Sequence, residues 1–568
     1  MVIPSWPAGL WPAAVLLALV LPFEAIKPVL VTPWVALTDE KLGLLAAVVA
    51  WLLLGLRAVP NAREWRVLAP SLALLVVAVI AALLAPEYAD EALKFVWRLA
   101  AAAFVLLLVV RVAQKPGHLP ILAWAVAVGA GLSGVLGLGE ALGWPGLEPV
   151  LSLFKVAPTR IGPDLRVSAS FQYATIASMY FEMVAPLALV LAATAPRRWL
   201  RGLGLAIALV CTANVVLSLT RAGLLTLTLL YAALLGAAWL RPSWRRLVAP
   251  TLAAGGVLVS GVAILAMRDP VFDMRLVTES DADWYGAAYS APAMLRLAPD
   301  QSVSVALDVR NEGRIVWSSN NSTHPFALGY RWLTADGTGV LDLPPGEVPL
   351  SHDVGPGESI HLETRVDVSH LPAGTYRLDW GMLQRDVVQF YERGSANAES
   401  MVTVIPAANG KVVKMPATLL RDDEEAPWVV GRLELWGAAL RLIETRPWLG
   451  VGPDNFRHLY GAQLGLDTWD ERVQANNLYL ELLVDVGLLG LAAFLWLTIT
   501  PLALALRALR TPATMPLSYW VLGLGAGVVA FLVHGLLDSF LAFTPTALLF
   551  WMLLGMLSSL QNPQVSGR

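Results

Sequence analysis

Arginines and ionisable residues at the ends of long apolar runs are the side chains in this sequence best suited to chemistry. Arg166 lies just ahead of Ser170-Phe171 and the apolar run that begins near 173, Arg221 closes the corner Ser218-Leu219-Thr220-Arg221, and Arg160 shares a loop with Arg166. A planar guanidinium pairs with phosphate oxygens two at a time and keeps its charge in an apolar setting, so these residues fit an anion site at a membrane surface. The plain alternative is an arginine that snorkels to the interface or marks a helix end. For proton transfer the candidates are His458, Glu481 and Asp538. An exposed loop histidine and a helix-end carboxylate in water are the corresponding alternatives. No carboxylate pair at metal-ligand spacing is read at an outward helix end, so neither a metal nor another cofactor is expected. The single cysteine, Cys211, sits inside an apolar run, which excludes an intramolecular disulfide and a multi-cysteine metal cluster.

The elements that must position these residues are membrane spans. The 568 residues are 57% hydrophobic and 15% charged, with a mean hydropathy of +0.62, too apolar for a water-soluble chain of this length. The formal net charge of -3 gives no basic field for nucleic acid. Runs near the 20 residues or so needed to cross a bilayer centre on 9–31, 41–57, 67–85, 95–112, 119–141, 173–194, 202–219, 222–240, 247–267, 478–503, 517–537 and 541–560. These predict an all-α polytopic protein of about twelve transmembrane helices. The first run lacks a basic leader and a small-residue cleavage site, so it reads as a span rather than a signal peptide. With a cytoplasmic N-terminus, every inward loop is basic: Arg57, Arg63 and Arg66; Arg111 and Lys115; Arg197, Arg198 and Arg201; Arg241, Arg245 and Arg246; Arg507 and Arg510. The rule of positive inward loops then places both termini in the cytoplasm, and the 142–172 loop, the Arg221 corner and residues 268–477 outside.

The chain divides accordingly into spans one to nine (1–267), an extracytoplasmic insertion (272–405), an outward loop (406–477) and spans ten to twelve (478–568). The insertion changes composition: Val303, Val305, Leu307 and Val309 alternate before an Asn311-Glu312-Gly313 turn, and further short strands and Pro-Gly turns follow. This predicts an antiparallel β-sandwich, and its Pro-Gly-Glu and Pro-Ala-Gly-Thr-Tyr segments resemble immunoglobulin-like modules found beside bacterial carbohydrate enzymes. Trp317, Trp332 and Trp380 are either platforms for stacking sugars or core residues of the sandwich. The Asn320 and Asn321 sequons are short enough to arise by chance. Between 429 and 445 helical spacing predicts a helix at the membrane surface or capping the bundle.

One stretch is distinctive. Arg446-Pro447-Trp448-Leu449-Gly450-Val451-Gly452-Pro453-Asp454-Asn455-Phe456 is followed by Asn476-Asn477-Leu478-Tyr479-Leu480-Glu481 and then Gly487-Leu488-Leu489-Gly490-Leu491. This resembles the signature region of the O-antigen ligase and O-antigen polymerase family, with Gly450, Gly452, Asn455, Asn477 and Tyr479 on the motif. The likeness extends to Arg166, to Ser218 through Gly223 and to His534-Gly-Leu-Leu-Asp538; the β insertion is not part of the usual pattern. The resemblance implies a GT-C-like, metal-independent membrane glycosyltransferase of the bacterial cytoplasmic membrane. It would move an undecaprenyl-diphosphate-linked glycan to a lipid or glycan acceptor hydroxyl at the outer face. Arg166, Arg221 and Arg160 would then hold the diphosphate. The family's histidine ahead of the helix-start asparagine is replaced by Asn476, which cannot act as a base near neutral pH, so either the leaving group makes strong base assistance unnecessary or His458, Glu481 or Asp538 supplies it. A polymerase joining repeat units and a non-catalytic polysaccharide-binding or assembly protein are the competing readings.

Overall fold

The structure is a computed structural model that describes residues 10–27, 30–31, 36–37, 62–115, 117–268, 270–278, 281–298, 302–320, 324–406, 416–420, 430–509 and 515–560. Among the described residues nine helices are long and apolar enough to cross a membrane. They are α2 (Ala62–Leu83), α3 (Ala89–Ala113), α4 (His118–Ala141), α5 (Ala174–Thr194), α6 (Arg198–Leu217), α7 (Arg221–Leu240), α8 (Val248–Arg268), α12 (Leu478–Ala508) and α13 (Met515–His534). The first and last of the expected runs form shorter apolar helices, α1 (Leu10–Val20) and α14 (Thr544–Ser559), and the run at 41–57 lies outside the described residues. Outside the bundle stand α9 (Pro270–Val277), α10 (Arg432–Thr445) and α11 (Phe456–Leu464). The chain is a multi-pass membrane protein.

Burial orders the bundle. α5 is enclosed along nearly its whole length and α14 throughout, whereas α8 keeps most of its surface outward. A helix apolar on every side needs neighbours or lipid all round, and these two cases show both solutions. The ends of the bundle differ in charge. At one, Trp244 and Leu247 pack with Val190, Ala193, Ala238 and Tyr519, Arg241 donates to the Leu509 carbonyl (3.0 Å), and Arg111 pairs with Glu64 (3.1 Å). Trp199 and Trp239 are exposed there, as interfacial tryptophans are. The opposite end carries the corner between α6 and α7, the ends of α12 and α13 and the β insertion.

The glycine signature has a structural explanation. α12 is broken at Gly487 (φ 65°, ψ −169°), which frees backbone groups that a helix would otherwise satisfy. The Pro447–Gly452 segment takes them up: Leu488 N–H donates to Pro447 O (2.8 Å) and Leu489 N–H to Trp448 O (3.3 Å), while Val451 and Gly452 donate to the carbonyls of Val484 (2.8 Å) and Asp485 (3.1 Å). Irregular backbone at a membrane helix survives only when other protein groups satisfy it. Both Gly450 (φ 70°) and Gly487 lie in the left-handed region, and a Cβ on either would collide with the facing backbone.

In the insertion, β1 (Ala287–Ser290), β3 (Ser302–Asn311) and β7 (Ser359–Asp367) form one sheet, ordered β7-β3-β1. The other sheet contains β2 (Met294–Leu297), β4 (Phe326–Thr334), β5 (Gly339–Leu341), β8 (Gly374–Gln384), β10 (Ala398–Val404) and β11 (Thr418–Leu420), in the order β11-β5-β4-β8-β10-β2. Two short strands join it, β6 (Gly346–Pro349) on β4 and β9 (Val388–Gln389) on β8. Val305, Leu307 and Val309 face Leu378, Trp380 and Val402 in a single core, as the alternation in β3 requires. Trp317, Trp332 and Trp380 are all buried in it, so they are core residues and offer no face to a sugar.

Candidate functional site

A cavity of about 330 Å³ opens at the insertion-bearing end, at the small end of the range for ligand sites. Arg166, Arg221, Arg275 and Arg432 line it together with Asp538 and Thr220. Four cations and one carboxylate converge from five separate segments, so the wall is strongly positive.

Local structure explains the aim of each group. The Arg166 backbone is pinned between Thr159 and Leu217 through two main-chain hydrogen bonds, Arg166 N to Thr159 O and Val167 N to Leu217 O (2.9 and 3.0 Å). Its Nε donates to Ser218 O (2.9 Å) and its Nη2 to Thr220 Oγ1 (3.2 Å), which ties the 142–172 loop to the α6–α7 corner. Behind it a buried Glu140–Lys155 ion pair holds the same loop, with Glu140 accepting from the Ser168 and Ala169 N–H groups. Arg221, the first residue of α7, donates from Nη1 to Thr278 O (2.9 Å). Arg432 opens α10 and stands 3.9 Å from Asp538 Oδ2. Burial pushes the Arg166 guanidinium down to about 10, with Arg221 adding to the push. For Arg275, burial and then the charges of Arg166, Arg221 and Arg432 push it down to about 9. A bound anion would relieve both pressures.

Asp538 is backed by a polar chain that runs into the bundle. Oδ2 is 3.4 Å from Nε2 of His534, whose Nδ1 is 3.0 Å from Glu182 Oε2, and Glu182 Oε1 accepts from Ser178 Oγ (2.6 Å). His534 and Glu182 are fully buried. The Asn-x-Tyr signature holds this corner in place. Asn477 Nδ2 donates to Leu536 O (2.9 Å), Leu478 N to Gly535 O (2.7 Å) and Tyr479 Oη to Leu532 O (2.8 Å). Asn477 also caps α12 through its side-chain oxygen, at 3.0 Å from the N–H groups of Tyr479 and Leu480.

The remaining candidates lie elsewhere. Arg160 is exposed on the 160–165 hairpin and donates to Pro163 O (2.9 Å), away from the cavity lining. His458 is buried, stacked on Tyr88 at 4.6 Å between ring centroids and 3.1 Å from Glu471 Oε2. Asn476 holds a left-handed φ of 49° at the α12 entry, and Asn455 Nδ2 donates to Glu87 O and Val451 O. Glu481 is buried and accepts from the Ala475 N–H (2.7 Å), while Asp485 accepts from Asp454 N (2.9 Å), so both carboxylates fasten the signature loops. Asp281 and Asp283 do stand at Asp-x-Asp spacing past α9, but Asp281 is taken up by Arg393 at 3.3 Å. The reading of the sequence missed Arg275, Arg432, His534 and Glu182 as site residues. Two of these carried a usable signal: His534 opens the His534-Gly-Leu-Leu-Asp538 likeness, and Arg432 is a cation in the first turn of a helix just ahead of the glycine signature, where the helix dipole disfavours it.

Comparison with known proteins places the signature within a family. Residues 387–495 match the family model described as O-antigen ligase. A curated O-antigen ligase of Pseudomonas aeruginosa is 34% identical over 125 residues. Over this region the chain is similar to the O-antigen ligase family. The alignment with the Pseudomonas protein covers 21% of this chain and 29% of that protein, under a third of its length. The family match takes in Arg432, the Pro447–Gly452 segment, Asn477 and the α12 break; Arg166, Arg221, Arg275 and Asp538 come from outside it.

Proposed function

We propose that this chain is a GT-C-like glycosyltransferase that moves a preassembled glycan from undecaprenyl diphosphate to an acceptor hydroxyl at the outer face of the cytoplasmic membrane, as an O-antigen ligase does. The observation that carries this reading is the four-arginine cavity with Asp538 on its wall. A glycosyl diphosphate already has a good leaving group, so the protein chiefly has to hold two phosphates and offset the charge that grows on them. The acceptor oxygen attacks the anomeric carbon, the bond from that carbon to the phosphate oxygen breaks with its electron pair going to the diphosphate, and the acceptor proton passes to the Asp538 carboxylate. His534 and Glu182 position that carboxylate from behind. Asp538 thereby takes the role left open by Asn476. Charge compensation in this scheme comes from guanidinium groups and calls on no metal. The insertion serves as an immunoglobulin-like module beside the site.

Purified protein in lipid discs, given undecaprenyl-diphosphate glycan and a lipid-linked sugar acceptor, should yield glycosylated acceptor and free undecaprenyl diphosphate. Products that lengthen by one repeat on the carrier itself would assign a polymerase instead. Donor binding with no turnover on any acceptor would assign a binding or assembly role.

A further inference from the structure

Arg275 differs in origin from the other three cavity arginines. It lies on α9, the eight-residue helix that leads from span α8 into the β insertion. The insertion is docked against the site at several points. Phe272 of α9 shares the sandwich core with Trp284, Tyr285, Leu219 of the α6–α7 corner and Ile161 of the 160–165 hairpin. Trp284 Nε1 donates to Thr278 Oγ1 (3.0 Å), and the Thr278 carbonyl accepts from Arg221 (2.9 Å). Asp281 receives the Gly162 N–H (3.5 Å) and pairs with Arg393 of the insertion at 3.3 Å. The apolar core of the β module therefore runs without interruption onto the two segments that hold Arg166 and Arg221.

From this we infer that the β insertion is a fixed wall of the anion cavity and that Arg275 is a ligand for the donor's diphosphate, supplied by the insertion rather than by the helical bundle. This rests on the cavity being the diphosphate site. Its physical basis is the charge balance of the wall. A diphosphate joined at both ends carries two negative charges, and once the sugar leaves it carries up to three. Arg166, Arg221 and Arg432 less Asp538 supply a net of two positive charges, and three once Asp538 takes the acceptor proton. Arg275 adds one to each, so the wall stays cationic by one charge over the diphosphate both before and after the sugar leaves and holds the leaving group as its charge grows. With the module's aromatic residues buried, this contact with the site assigns it a role that needs no exposed sugar platform.

Full-length protein in lipid discs, titrated with undecaprenyl diphosphate and with undecaprenol, tests this. Arg275→Gln should weaken undecaprenyl diphosphate binding about tenfold or more, as expected for loss of a charge-assisted contact. Arg275→Lys should fall between, and undecaprenol binding should not change with either. Thermal unfolding of both variants within a few degrees of the parent shows that the insertion stays docked. Arg221→Gln serves as the reference. If Arg221→Gln loses undecaprenyl diphosphate and Arg275→Gln with intact unfolding does not, the inference about the insertion is wrong and the diphosphate cavity stands. If neither variant changes binding, the reading of the cavity itself fails. Should Arg275→Gln unfold early, the Arg275→Lys titration decides, with parental affinity counting against the inference.

Discussion

At the scale of single residues, the site depends on groups that are costly to bury unless something answers them. Glu182 and His534 lie wholly inside the bundle, and removing one member of such a pair leaves the other uncompensated, at about 3–5 kcal/mol. Their placement 3.0 Å apart, with Asp538 at 3.4 Å on the cavity side, is what a positioned base requires. Glu182→Gln preserves shape and removes the charge. We expect it to lower the turnover of glycan transfer at least about tenfold while the affinity for undecaprenyl diphosphate stays at the parental value, because no arginine is touched. Turnover and donor affinity measured on the same preparation check this, and unchanged turnover would remove the relay from the mechanism. Gly223 in the first turn of α7 leaves the room in which Ser178 and Glu182 meet, since a Cβ there would collide with Ser178 Oγ.

At the scale of elements, the broken helix α12 and the Pro447–Gly452 segment form one unit, each satisfying backbone groups the other leaves open. Gly487→Ala would force a side chain into a left-handed φ, at about 1–2 kcal/mol, and drive its Cβ into the Trp448 backbone. The expected result is a fall in midpoint unfolding temperature of several degrees with loss of transfer, read by fluorescence-monitored unfolding in detergent; an unaltered midpoint would show that the break is not needed. Much of this scale was readable beforehand. Among the described residues, nine of the expected runs became helices long enough to cross a membrane because span length and apolarity are local properties that any solvent of lipid imposes. The strand pattern of the insertion was equally local, as Val305, Leu307 and Val309 show. The tryptophans could not be assigned, because alternation says which face a residue takes and not whether that face is covered. Arg275 and Glu182 were illegible for a related reason: the groups they meet lie far along the chain, His534 being 352 residues from Glu182, and only the closed fold brings α5 and α9 to the segments that bear His534 and Asp538.

At the scale of the whole molecule, the two ends of the bundle are chemically unlike, and the proposed reaction needs the arginine cavity on the side away from the cytosol. Arg197 before α6, Arg198 and Arg201 in its first turn, Arg241, Arg245 and Arg246 after α7, and Arg507 late in α12 all belong to the end opposite the cavity. Moving such a group of cations outward across the membrane opposes both insertion and the resting potential, at about 2.3 kcal/mol per charge for each 100 mV. The cavity arginines, by contrast, are held in folded loops and helix starts tied to the insertion. Cys211 is the single cysteine and is buried, so Cys211→Ala gives a background without thiols. Added singly to it, Ser351→Cys on the exposed surface of the insertion should react with a membrane-impermeant maleimide on intact cells stripped of outer layers, whereas Arg197→Cys should react only after permeabilisation. The reverse pattern would put Arg166, Arg221, Arg275 and Arg432 in the cytosol, and transfer at the outer face would then be untenable.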